Sequence, residues 1–169
     1  MAQGAGTKDK LIASKERWAT ERRGQGGRER AGAISSERLP PGQRLVTSWP
    51  VLDIGITPSI VPERWSLEIA GLVRRPARFD LASFAQLPQS TMRSDIHCVT
   101  SWSRYDNDWQ GVSARDLLAD VDPLSSARFV LFEAYDGYTT NLPLASFAAA
   151  DVLLATHWQG APLTREHGG

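Results

Sequence analysis

The amino-acid sequence predicts an α+β domain. Short runs that alternate apolar and polar residues, as half-buried strands do, are interspersed with brief helical signals, and no strand–helix–strand repeat of a parallel sheet occurs. The composition also changes abruptly near Leu39, which marks where the folded part should begin. With 169 residues, 41% of them hydrophobic and 22% charged, the chain is long enough for one real core.

Residues 1–38 carry nine Lys/Arg against five acids, a net +4, with several glycines and few large apolar side chains. Such a segment cannot bury enough surface to offset its ordering entropy, so a disordered basic leader is expected, with at most a transient helix from Leu11 to Arg22. The remaining 39–169 form the predicted domain. It opens with a strap, because five prolines between Pro40 and Pro62 enforce extended or turn geometry. Trp65, Leu67 and Ile69 alternate with polar or small residues and end at Gly71, a strand. Asp80 is placed to cap a short helix running to Leu87, ahead of Pro88. Thr91 to Val99 reads as a strand, and the "TSWSRYDND" behind it as a polar segment outside the core. Ser113 begins a capping-box pattern ahead of Leu117, Leu118 and Val121. "ARFVLFEA", 127–134, reads as a buried strand, and Asp136-Gly137-Tyr138 as the turn into a second extended run, Thr139 to Leu142. A helix near Ala145 to Ala150 and a strand from Val152 to Thr156 complete the order.

Composition excludes several function classes. The formal charge is zero overall and −4 outside the leader, which leaves no basic face for a nucleic acid. One cysteine permits neither an intrachain disulfide framework nor a Cys-rich zinc motif. Arg22-Arg23 is followed by "GQGGRER" rather than an apolar stretch, so neither an export signal nor a membrane span is expected, and the cytoplasm fits best.

The chemistry turns on "DIHCVTSWSRYDNDWQG", 95–111, which contains that cysteine. Cys98 reads as a small buried thiol, a nucleophile or a metal ligand. Its place at the end of a strand favours a site. Zinc is disfavoured, since His97 and Cys98 are neighbours on a strand and point to opposite faces, and the spacings to His157 and His167 match no zinc motif. A cysteine hydrolase using Cys98, His157 and Asn141 has no local signature behind it.

"DIHCVTSWS", "WQGV", "DGYTTNLPL" and "VLLATHWQGAPLTREHGG", preceded by "PPGQRLVTSWPVLDIG" and "WSLEIAGLVRRP", resemble in order the molybdopterin-binding domain of sulfite oxidase-like oxidoreductases, in particular the small bacterial members with a His-Cys-Val-Thr motif. The resemblance implies the sulfite oxidase-type fold of mixed sheets with short helices and molybdopterin as cofactor. It implies Cys98 as the molybdenum ligand and catalytic residue, and His97, Thr100, Ser101, Tyr138, Asn141 and His167 as residues around the cofactor. The implied reaction is oxygen-atom transfer to or from a small substrate, with an external electron partner because no haem domain is seen.

Two departures qualify this expectation. The first arginine after Cys98 is Arg104, so the arginine-rich oxyanion grip of true sulfite oxidases is not matched. The family pattern would continue past Gly169 with Pro, Arg, further strands and a lysine-rich segment for the cofactor phosphate. The resemblance therefore implies a truncated domain, with a non-catalytic remnant that does not retain the cofactor as the alternative.

Overall fold

A computed structural model describes residues 38–52 and 57–169. The expected leader, apart from Arg38, lies outside the described residues. Elements run β1 (Arg44–Leu45), β2 (Ser66–Ile69), β3 (Ala77–Asp80), α1 (Leu81–Ala85), β4 (Gln89–Cys98), β5 (Trp102–Ser113), α2 (Ala114–Val121), β6 (Phe129–Glu133), β7 (Thr139–Pro143), α3 (Leu144–Phe147), β8 (Leu153–Trp158) and β9 (Ala161–Pro162), with short 3-10 turns at Pro62–Arg64 and Arg165–His167.

The organising element is β5. It pairs antiparallel with β4 along its length; on its other side it pairs parallel with β1 at its start and antiparallel with β8 at its end. β9 extends this sheet beyond β8, while β2–β3 and β6–β7 are separate antiparallel pairs. Mixed pairing with, among the described residues, three short helices is the α+β arrangement the sequence predicts. Two readings need correction. "TSWSRYDND" is mostly the first half of the central strand, with Ser103 and Asn107 at 0% exposure. Polarity did not keep these residues out of the interior because their polar atoms find partners inside it. Conversely, β6 is a strand but is not buried throughout: Phe129 and Leu131 are 65% and 68% exposed, while Val130 and Phe132, alternating with them, turn inward.

The signals at Asp80 and Ser113 each start a helix, though the Ser113 cap is one-sided, the first helix ends at Ala85 rather than Leu87, and the last helix is Leu144–Phe147 rather than Ala145 to Ala150. Asp80 accepts the Ser83 amide at 2.7 Å, and Ser83 Oγ receives the Asp80 amide at 3.0 Å, a reciprocal cap for α1. Ser113 Oγ accepts the Asp116 amide at 3.3 Å to start α2. Ala114, Leu117 and Val121 then fall on one buried face. Leu117 joins Phe84 and Val112 in the core, against which Trp65, Leu67, Ile69, Phe79, Leu87 and Leu154 pack. Gly111 is required where β5 meets β8, because a Cβ there would overlap the Leu154 carbonyl oxygen.

Candidate active site

Cys98 is the last residue of β4, and Val99, Thr100 and Ser101 form a three-residue turn into β5. The Ser101 amide donates to the Cys98 carbonyl at 2.9 Å, and Ser101 adopts a left-handed φ of 66°. This is a three-residue hairpin loop with a serine at the position glycine usually takes. The thiol is half-buried, with Thr100 Oγ1 3.1 Å from Sγ.

Register fixes what shares its face. Ser94, Ile96 and Cys98 alternate onto one side of β4, and their partners Asn107, Arg104 and Trp102 lie opposite. Arg104 and Asn107 are three apart, an odd spacing that would normally separate them. A bulge sets Tyr105 and Asp106 against Asp95 alone, with Asp106 at φ 55°, and restores both to the Cys98 face. Arg38 holds the bulge, bonding both Asp95 and Asp106 at 2.7 Å and lying 4.4 Å over the Tyr105 ring. That hydrogen bond lowers the Asp95 pKa. Arg38, counted with the leader in the sequence, is thus anchored to the sheet.

Further along this face stands an aromatic group. Asn107 receives Arg104 Nη1 and, at 3.0 Å, Trp158 Nε1, and its own amide donates to the carbonyls of Ser94 and Arg104. The Arg104 guanidinium sits 4.5 Å over Trp158 and donates to the Thr47 carbonyl at 3.1 Å. Trp49 meets Trp109 and Trp158 edge-on and stacks on His167 at 4.0 Å. His167 also bonds Thr164 at 3.0 Å, while Arg165 pins the strap through the carbonyls of Thr57 and Pro58.

The structure therefore gathers Cys98, Thr100 and Ser101 on one turn and sets His167 in the aromatic group. His97 points to the opposite face, its Nδ1 2.9 Å from Ser103 Oγ. Tyr138 and Asn141 lie exposed on the separate β6–β7 pair. Sequence reasoning missed Gln43, Trp49, Asn107 and Trp158; the strap motif "PPGQRLVTSWP" carried the first two unnoticed.

Among the described residues no group of three or more His, Cys, Asp or Glu could hold a metal. A metal at Cys98 would take its other ligands from a cofactor. One observation fits that arrangement: Trp102, the cross-strand partner of Cys98, is buried with no acceptor for its Nε1–H among the described residues, and the Tyr105 hydroxyl likewise has no partner among them. A buried donor without a protein acceptor is what a bound group would complete.

Residues 54–169 match the family described as oxidoreductase molybdopterin binding domain. The chain belongs to this family. It is 43% identical over 134 residues, 79% of this chain and 68% of the relative, to YuiH of Bacillus subtilis, an uncharacterised oxidoreductase. It is also 39% identical over 74 residues to MsrP of Gluconobacter oxydans, a protein-methionine-sulfoxide reductase catalytic subunit, covering 43% of this chain and 23% of that protein. Among solved structures, sulfane dehydrogenase SoxCD from Paracoccus pantotrophus superposes with a TM-score of 0.58 at 20% identity, over 66% of this chain and 33% of that one. This likeness shows the fold, the sulfite oxidase type, and the family's cofactor is molybdopterin. No helix among the described residues is long and apolar enough to cross a membrane.

Proposed function

We propose that the chain catalyses oxygen-atom transfer to or from a small substrate at a molybdenum ligated by Cys98. The observation that carries this reading is the half-buried thiol at a strand end, opposite a buried tryptophan donor with no acceptor among the described residues. When bound, the molybdopterin supplies a metal that takes up and returns an electron pair, which permits exchange of an oxygen atom with substrate. Cys98 supplies a soft thiolate donor, which coordination keeps deprotonated. The Thr100 hydroxyl, 3.1 Å from Sγ, is placed to donate to that sulfur and moderate its charge. Trp102, the buried cross-strand partner of Cys98, backs the same face of the sheet. Ser101, Tyr138, Asn141 and His167 are further cofactor contacts on the family resemblance alone.

Arg104 shares the Cys98 face, but its guanidinium is engaged by Thr47 and Asn107. Two of its five N–H donors are used in this way and three remain, so this face does not discriminate between a sulfoxide and an oxyanion such as sulfite. Electrons would pass to or from an external partner, and the −4 body suits a basic one. The lone free thiol fits the cytoplasm.

The test is molybdenum content and turnover of protein made in a host that synthesises molybdopterin. Near-stoichiometric metal with dye-coupled turnover that Cys98→Ser abolishes is the expected result. Metal far below one per chain would favour a remnant that does not retain the cofactor; turnover surviving in Cys98→Ser would make Cys98 a structural thiol.

A further inference from the structure

The Cys98 carbonyl, not only its thiol, is held with unusual completeness. Besides the Ser101 amide, it accepts Gln43 Nε2–H at 3.1 Å, from the strap. The other end of the same Gln43 amide accepts the Ser103 hydroxyl at 3.3 Å, and Ser103 Oγ lies 2.9 Å from His97 Nδ1. Donor capacity sets the directions. A Ser103 hydrogen committed to Gln43 leaves its oxygen to accept from His97, so the chain runs His97 to Ser103 to Gln43 to Cys98. Ser103 is fully buried, so water cannot stand in for a broken link. Gln43 is itself fixed, since its amide donates to Pro40 at 3.1 Å and the next amide, of Arg44, donates to Ser101 at 3.1 Å. The strap thus grips the turn on both sides of the left-handed Ser101.

The geometry points to Gln43 as a positioning residue for Cys98: with Ser103 and His97 it fixes the Cys98 peptide plane from the face opposite the thiol, and so sets the direction in which Sγ meets molybdenum. This rests on the reading of Cys98 as ligand. Gln43 touches neither metal nor substrate. It acts through the main chain, as residues that orient a metal ligand commonly do. The three-residue turn has no other side-chain bond to the Cys98 carbonyl among the described residues, and its serine sits where the backbone is strained. Loosening one bond should therefore alter the thiolate's angle without removing it.

The experiment uses holoprotein carrying Gln43→Leu or the near-isosteric Gln43→Glu, which keeps an acceptor for Ser103 but has no N–H for Cys98. The readout is the electron paramagnetic resonance signal of half-reduced molybdenum, with molybdenum content and turnover alongside. Both variants should load metal, shift or broaden the signal, and lower turnover about ten- to a hundredfold, the usual loss when a ligand's orienting partner is removed. Gln43→Glu decides the matter if Gln43→Leu does not fold. A signal superimposable on the wild type in Gln43→Glu would overturn the inference. Cys98→Ser separates the two levels: if it too leaves the signal unchanged, the ligand reading fails, whereas if it alone alters the signal, only the positioning role fails.

Discussion

The β4–β5 and β6–β7 hairpins reverse the usual relation between polarity and burial. In β5, Ser103 and Asn107 are wholly buried; in β6, Phe129 and Leu131 stand mostly in solvent. The difference lies in what each side chain meets. Asn107 is bonded to Arg104, Trp158 and Ser94, so its burial leaves no polar atom unpaired. β6 and β7 form a two-stranded sheet with only one covered face, and Phe129 and Leu131 are on the other. Burial follows satisfaction and neighbours, not the character of the residue.

Reciprocal substitutions sharpen the contrast. Asn107→Leu should destabilise by on the order of 3 kcal/mol in urea unfolding, because the Trp158 N–H and the Ser94 carbonyl lose their partner inside the sheet. Leu131→Asn, the opposite exchange on β6, should change stability by less than about 0.5 kcal/mol. Comparable losses in both would mean that the two hairpins are buried alike. Gly111→Ala should cost about 2–3 kcal/mol, since a methyl driven into the Leu154 backbone forces β5 and β8 apart; a neutral result would mean that the strands are not so closely apposed.

The sequence was most legible where a local signal sufficed. The alternation Trp65, Leu67, Ile69 marked β2, Asp80 and Ser113 marked the starts of α1 and α2, and Cys98 was placed within a residue of its strand's end. The first half of β5 was not legible, because its burial depends on partners far along the chain, such as Trp158 fifty-one residues from Asn107. The bulge was hidden for the same reason: only pairing with β4 shows that Tyr105 and Asp106 together oppose Asp95. The site was legible as a cysteine and a family motif, but its support by Gln43 came from a strap that the sequence presents only as irregular.

Smaller effects probe the ends of the β4–β5 pair. Ser113→Ala removes the cap of α2 and should cost about 1 kcal/mol in thermal or urea unfolding. Arg38 and Arg93 lower the pKa of Asp95 and Asp108 through hydrogen bonds, below the ordinary aspartate value of about 3.9. Groups so depressed stabilise the fold above that value, and the contribution is lost as pH falls through the folded-state pKa. Arg38→Gln should accordingly lower neutral stability slightly, by no more than about 1 kcal/mol for so accessible a cation, and leave stability in strong acid unchanged, which flattens the acid limb. An unaltered acid limb would mean that the Arg38 contact does not persist in solution.

The most direct test of the central claim is X-ray absorption at the molybdenum edge of the holoprotein, comparing wild type with Cys98→Ser. Ligation by Cys98 predicts the loss of one sulfur from the metal's shell and its replacement by a lighter scatterer. An unchanged sulfur shell in metal-loaded Cys98→Ser would contradict it.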